Sequence, residues 1–354
     1  MKINYTMWDT PSHGGVRVIF EFANRLAERG HEVTITSLAG RGNSSWFPLK
    51  MKVNYVKNSF PLKVVDYLLR TKGKFNFHLD LAELLAKNTP ACDINVATFS
   101  FTAFAVHRSN RGIPFYHMQH YEAMLFPDAY FRKMNEETYY LPLNKIANST
   151  WLKNELKKIH GLDVPVVTPG VDLDTFYPRD VKRDTGKKRV ICYGKSGAWK
   201  GFPDAMKAMK IVMKQNPNVE FISYGSSQIP YKDPEVPYTF ICHPSDDELA
   251  KLYSSADCVF CPSWYESFPL PPIEAMACKA PVVTTRYGTE DYAFHEANAL
   301  VVPPRDPQKM ADMILRVISD EELAARLRKK GLETAKQFTW NNAVNKVEKL
   351  FESA

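Results

Sequence analysis

Apolar and polar positions along this chain repeat in two alternating periods. The alternating Ile3-Asn4-Tyr5-Thr6 reads as a short strand. The turn-rich Thr10-Pro11-Ser12-His13-Gly14-Gly15 follows, and Val18, Phe22, Leu26 and Ala27 then recur at helical spacing until Gly30 stops the helix. Residues 31–36 form the next strand and complete a β-α-β unit, with further strands predicted at 94–97, 114–118 and 145–147 and helical segments between them. The same order restarts after a proline-rich hinge at 165–172, with a strand at 189–193, a helix over 203–216, and strands at 219–224, 238–242, 258–261 and 281–284. The charged segment 319–336 reads as helix, and a last helix begins at 338–340 with Val344, Val347 and Leu350 on one face.

Strands alternating with helices in two successive blocks predict an α/β protein made of two Rossmann-like, doubly wound parallel-sheet domains. Residues 1–168 form the first domain and 169–339 the second, and the last helix, about 340–354, is a candidate to pack back on the first. A length of 354 residues exceeds the roughly 250–300 at which one core stops growing, so the chain is long enough for both. No internal repeat or low-complexity segment is visible, so any symmetry is architectural.

Composition narrows the class of protein. No run of about 18 apolar residues occurs, and Met1 to Tyr5 lead into a strand without a signal-peptide pattern, which predicts a cytoplasmic protein. Cys92, Cys192, Cys242, Cys258, Cys261 and Cys278 sit mostly in apolar surroundings and read as reduced core thiols; Cys258 and Cys261 form a C-x-x-C with no second pair to complete a zinc or redox site. The net charge of +7 lies wholly in residues 1–168, which hold 21 Lys/Arg against 14 Asp/Glu, while 169–354 hold 25 of each. No nucleic-acid motif or basic stripe accompanies it. The basic amphipathic stretch 62–70 suits either peripheral contact with an anionic inner membrane face or a core-facing helix with solvated lysines.

Candidate chemistry concentrates in three strand-to-helix junctions. The first is Pro262-Ser263-Trp264-Tyr265-Glu266-Ser267-Phe268-Pro269-Leu270-Pro271-Pro272-Ile273-Glu274, which follows a buried-looking strand and opens a helix with prolines suited to its first positions. The N–H groups of Leu270 and Ile273 at that start suit an anion, and Glu274 in the first turn and Glu266 in the loop can face different parts of a ligand. The second is Tyr193-Gly194-Lys195-Ser196-Gly197-Ala198-Trp199-Lys200-Gly201, whose two lysines can converge on a diphosphate. The third is Gly14-Gly15, where backbone can approach a phosphate or sugar without Cβ obstruction. It is not a full G-x-G-x-x-G and no acidic residue closes the second strand at Thr36-Ser37-Leu38, which argues against a nicotinamide dehydrogenase. Ser267 lacks a Gly-x-Ser-x-Gly elbow, so it is not a hydrolase nucleophile.

Glu266 and Glu274, with seven residues between them and Ala275-Met276-Ala277 and Pro281-Val282-Val283 following, resemble the E-x7-E signature of the family 4 glycosyltransferases. Lys195 and Lys200-Gly201 are similar to the family's Gly-Arg…Lys-Gly loop, with lysine in place of arginine at 195. Gly14-Gly15 with Arg29 to Val33, Asn148-Ser149, and Gly170-Val171-Asp172 with Phe176 also match. The resemblance implies a GT-B architecture, two domains facing a cleft, with the acceptor on the first and a nucleotide-sugar on the second. It implies metal-independent transfer to a glycan or lipid-linked acceptor with retention of configuration, as in polysaccharide biosynthesis, with no cofactor beyond the nucleotide-sugar as co-substrate.

Carried over residue by residue, His120, Lys200 and Glu266 are the catalytic candidates. Gly14, Gly15, Lys195, Lys200, Ser267, Phe268, Leu270 and Glu274 are the donor-binding candidates, with no metal ligand. His120 stands where the family has a cleft histidine, although Tyr121 replaces the usual aspartate and His117 competes for the role. Asp172 and Asp174 form a D-x-D that a metal-dependent transferase would use, but their place after the hinge glycine, where the family's Gly-Val-Asp-x-x-x-Phe sits, argues against a metal role. Pro269 occupies the position of a glycine in the family's Glu-Gly-Phe-Gly loop and has no N–H to hold a sugar hydroxyl, which predicts a deoxy or inverted donor sugar such as rhamnose; the alternative is that it only stiffens the turn. The rival readings are a nucleotide-sugar epimerase or phosphorylase on the same architecture, and a non-catalytic sugar-nucleotide-binding subunit.

Overall fold

The computed structural model of the protein describes residues 1–58, 77–126, 128–183, 186–195, 197–226 and 233–354. The amphipathic stretch 62–70 lies outside the described residues. Two compact units are present, one comprising Met1–Pro169 and Trp340–Ala354, the other Gly170–Thr339.

The first unit holds six parallel strands, β1 (Lys2–Met7), β2 (Glu32–Leu38), β3 (Val53–Val56), β4 (Ile94–Ala97), β5 (Ile113–Met118) and β6 (Asn144–Ala147), in the order β3-β2-β1-β4-β5-β6. Its helices are α1 (Gly14–Glu28), α2 (Phe77–Lys87), α3 (Ser100–Ser109), α4 (Ala129–Thr138) and α5 (Thr150–His160). The central strands are covered on both faces, yet their sequences are not purely apolar. Asn4, Thr6, Thr36 and Asn95 are buried across β2, β1 and β4. Asn4 Nδ2 donates to Asn95 Oδ1 at 2.9 Å, Thr36 Oγ1 to Asn4 Oδ1 at 2.9 Å and Thr6 Oγ1 to Asn95 Oδ1 at 3.1 Å. Each polar group offsets the desolvation of its neighbour, which is why the sheet tolerates them.

The second unit repeats the plan with β7 (Lys188–Tyr193), β8 (Val219–Gly225), β9 (Thr239–Cys242), β10 (Cys258–Cys261), β11 (Val282–Thr285) and β12 (Leu300–Val302), all parallel, in the order β12-β11-β10-β7-β8-β9. Helices α6 (Phe202–Gln215), α7 (Asp246–Ser254), α8 (Leu270–Ala277), α9 (Pro307–Ser319) and α10 (Glu321–Ala335) flank the sheet. Because successive strand residues point to opposite faces, Val190 and Cys192 of β7 join Phe202 and Met206 of α6 and Ile314 of α9, while Ile191 joins Tyr253 of α7 and Ile273 and Met276 of α8. Both sheets are therefore doubly wound, each with an order reversal at its centre.

Strands β3 and β12 escaped the periodicity reading. Both are outermost in their sheets; β3 is four residues long and half solvated, and β12 has three residues. The C-terminal helix α11 (Trp340–Glu352) belongs to the first unit. It buries Trp340, Ala343, Val344, Val347 and Phe351; Leu350, expected on that face, is only partly buried, and Phe351 takes its place with its ring edge-on to Phe115 at 4.8 Å. Trp340 meets Phe22 of α1 edge-on at 5.5 Å, and Glu348 pairs with Arg29 at 2.6 Å and His31 at 2.7 Å.

All six cysteines are free thiols, and burial holds Cys192, Cys258 and Cys261 well above the usual thiol range. Among the described residues no helix is long and apolar enough to cross a membrane.

Candidate active site

The order reversal in the second sheet falls between β7 and β10, which run side by side with Val190 opposite Cys258 and Cys192 opposite Phe260. Their onward connections leave the same carboxyl edge in opposite directions, the place where α/β sheets open a crevice. Loop 194–201 follows β7 and loop 262–269 follows β10, so residues far apart in sequence become neighbours. Gly201 makes the close approach possible. It has φ +68°, and a Cβ there would lie 2.1 Å from the carbonyl oxygen of Pro262. The Trp264 N–H donates to Trp199 O at 2.7 Å across the same gap.

In consequence Lys200 Nζ lies 2.5 Å from Glu266 Oε1, and Ser263 Oγ donates to the same oxygen at 2.8 Å. Both charged side chains are 15% exposed, dry enough for the pairing to matter. From the β11 side, Thr285 Oγ1 donates to Ser263 O, Glu266 N–H donates to Tyr287 O at 3.3 Å, and a Cβ on Gly288 would meet Glu266 O at 2.3 Å.

Lys195 is half-buried, and its ammonium pKa is lowered first by desolvation and then by the charge of Lys200, with Glu266 opposing. Tyr193, ending β7, has its phenol pushed up to about 12 by burial and then by Glu266 and Glu274. Glu274 is buried and is the fifth residue of α8, just past the first turn in which the sequence reading placed it. Pro269 is the N-cap of α8, and with prolines at 269, 271 and 272 the loop offers few amide donors, Leu270 among them. The Pro269 carbonyl accepts from Tyr292 OH at 2.7 Å. Phe268 is a core anchor, its ring 5.1 Å from Tyr292, and Ser267 is buried, so the outward contribution of Phe268 is its backbone.

Gly14, Gly15 and His120 belong to the first unit. The glycines open α1 directly after β1, where a Cβ on Gly14 would stand in open space and one on Gly15 would meet only the His13 ring at 3.7 Å. Internal packing of that unit does not dictate glycine at either position. His120 follows β5, with its ring edge-on to Trp151 at 5.8 Å. His117 lies inside β5, fully buried and 5.1 Å from the Phe22 ring, and burial brings its imidazole down to about 4. It is a neutral core histidine, which removes it as a candidate and leaves His120, beyond the end of β5, as the remaining one. Asp172 builds a turn, accepting from Thr175 Oγ1 at 2.7 Å and from the Asp174 N–H at 3.2 Å. Ser149 caps α5 through the Leu152 N–H.

Sequence reasoning gave no role to Ser263, which lies three residues before Glu266 in the same loop, or to Thr285, which β11 brings against the Ser263 carbonyl. Two doubly wound parallel sheets in two units define a fold class, the GT-B architecture. The chain belongs to the family 4 glycosyltransferases: residues 12–175 match the model described as Glycosyltransferase Family 4 and residues 174–334 that described as Glycosyl transferases group 1.

Among its relatives, the O-antigen biosynthesis protein RfbC of Myxococcus xanthus is 28% identical over 361 residues, covering 98% of this chain and 27% of that protein. A D-inositol 3-phosphate glycosyltransferase of Corynebacterium urealyticum is 26% identical over 220 residues, 55% of this chain and 52% of the relative. The chain thus spans about a quarter to a half of the length of these curated relatives. The solved structure of HepE from Anabaena in complex with UDP-glucose shares the fold, with a TM-score of 0.79, 18% identity and full coverage of both chains.

Proposed function

We propose that the protein transfers a sugar from a nucleoside-diphosphate donor to a glycan or lipid-linked acceptor, with retention of configuration and without a metal ion. The observation that carries this reading is the Lys200–Glu266 pair at 2.5 Å beside the half-buried Lys195, at the order reversal of the second sheet. A donor diphosphate entering there meets two ammonium groups, which stabilise the charge that develops on the leaving phosphate. Glu266 then orients sugar hydroxyls and Glu274 the ribose. By the family resemblance, His120, Gly14 and Gly15 are the candidates that lie in the first unit. HepE, which holds UDP-glucose, supports the donor class, and the D-inositol 3-phosphate glycosyltransferase relative supports sugar transfer.

Asp172 has both carboxylate oxygens engaged in its own turn, which supports a turn-building role over metal ligation. Pro269 supports a donor lacking or inverting one hydroxyl, because a buried hydroxyl left without its amide partner costs about 1–3 kcal/mol. The test is incubation with a panel of nucleotide-sugars, with and without chelator, and NMR of the product anomer. Transfer of sugar from one donor to an added acceptor in chelator with retained configuration is expected, faster for a deoxyhexose than for its hydroxylated counterpart. Loss of activity on chelation restored by manganese overturns the metal-independent reading, and free nucleotide from donor with no sugar transferred in the presence of any acceptor favours an epimerase.

A further inference from the structure

Lysine has a long, freely rotating side chain, so what aims Lys200 is the placement of its backbone relative to Glu266. Three contacts converge on that placement, and all pass through Trp264, two residues before Glu266. Its backbone N–H donates to Trp199 O at 2.7 Å, beside Lys200. Its indole Nε1–H donates to Asp204 Oδ2 at 2.6 Å, in the first turn of α6. Its ring lies under the Arg305 guanidinium, whose central carbon is 3.8 Å from the ring centroid.

Asp204 is the unusual member. It is buried, and among the described residues no ion pair to it occurs; its carboxylate receives the indole N–H, helped by the positive end of α6. Burying a carboxylate for one indole contact is costly for a fold that could place a neutral residue there. The contact instead ties the start of α6, four residues after Lys200, to the loop that carries Glu266.

We infer that Trp264 and Asp204, with Arg305 stacked on the outside, form a positioning latch that sets Lys200 against Glu266 before the donor binds. The inference rests on the reading that these two groups meet a nucleoside diphosphate. Trp264 and Asp204 are positioning residues; they act through Lys200 and Glu266.

Calorimetric binding of UDP, GDP and dTDP to the full chain, with turnover of whichever nucleotide-sugar the wild type hydrolyses, tests it. Trp264→Phe keeps the stacked ring but removes the N–H, Asp204→Ala removes the acceptor, and Asp204→Asn keeps an acceptor oxygen. Misplacement of a charged group by around an ångström predicts that Trp264→Phe and Asp204→Ala each lose about 10-fold or more in nucleotide affinity and in turnover, with Asp204→Asn recovering to within about 3-fold. Met209→Ala, a core change in α6 away from the latch, is the control for lost stability, and it leaves affinity unchanged at temperatures where it stays folded. Wild-type affinity and turnover in Trp264→Phe and Asp204→Ala overturn the latch while leaving the donor reading standing, as does an equal loss in Met209→Ala. Failure of the wild type to bind any of the three nucleotides overturns both.

Discussion

Replacing Lys200 with methionine tests whether the pair at the sheet edge is a working site or a structural tie. The substitution keeps most of the side-chain volume and removes the ammonium that lies 2.5 Å from Glu266 Oε1. Removing one member of a fully buried pair costs roughly 3–5 kcal/mol, because a charge is left in a dry site. Here both partners are 15% exposed and Ser263 still donates to Glu266, which reduces the expected loss to about 2 kcal/mol. For a unit of this size that corresponds to a fall in Tm of about 4–8 °C. Glu266→Gln, losing the same pair from the other side, leaves Lys200 with a neutral acceptor and costs about 1 kcal/mol. In the double variant the two losses do not add, and the coupling is on the order of 1–2 kcal/mol. Function behaves differently. If Lys200 meets the leaving diphosphate, turnover in Lys200→Met falls about 10²- to 10³-fold, and adding Glu266→Gln restores none of it. Urea unfolding of the four proteins gives the first set of values and donor hydrolysis the second. Additive stability losses would refute the pairing, and wild-type turnover in Lys200→Met would refute the diphosphate site.

Glu122 is buried with its carboxyl pushed up to about 8 by desolvation, accepting from the Ser100 N–H at 2.6 Å and from Tyr116 OH at 3.2 Å. Its folded pKa exceeds the unfolded value, so the stabilisation is complete below about pH 4.5 and is lost as pH rises toward 8, by a few kcal/mol. Glu122→Gln should flatten that decline in urea unfolding between pH 5 and 9, and a profile parallel to wild type would count against it. Glu348, whose carboxyl is held below the usual range first by His31 and then by Arg29, has the opposite sign: its contribution is present above pH 4.5 and lost on acidification. Glu348→Gln should cost about 1 kcal/mol at pH 7 and progressively less on acidification, read from thermal melts. Gly201→Ala places a Cβ 2.1 Å from Pro262 O at a left-handed φ, so it should destabilise by at least 2 kcal/mol and weaken nucleotide binding together; normal binding would show that the approach of the two loops is not needed.

The basic surplus of residues 1–168 is a matter for vesicle sedimentation: binding to anionic vesicles at low salt that fades at moderate salt is expected for an electrostatic membrane contact, and absence of binding at any salt leaves the charge as ordinary solubility.

Much of the architecture was legible in the chain because its cause is local. Helical spacing from Val18 to Leu26 and the apolar run at 258–261 report burial directly, while β1 and β4 carry buried Asn4, Thr6 and Asn95 among their apolar residues. The edge strands β3 and β12 left little, since half their surface faces solvent or they span only three residues. Side-chain choice on α11 followed the same logic: periodicity gave Val344 and Val347, whereas Phe351 displaced Leu350 because the helix meets Phe115 at its last turn.

The residue types needed for a diphosphate site, Lys195, Lys200, Glu266 and Glu274, stand plainly in the sequence, but their meeting does not. Lys200 and Glu266 are 66 positions apart, and only the adjacency of β7 and β10, with glycine at 201 allowing one loop against the other, sets them at 2.5 Å. The same holds for His117 and His120, three residues apart and equivalent on paper. One points into the sheet's core and is kept neutral by burial while the other clears the strand's end, a difference that strand length and packing decide and side-chain chemistry does not.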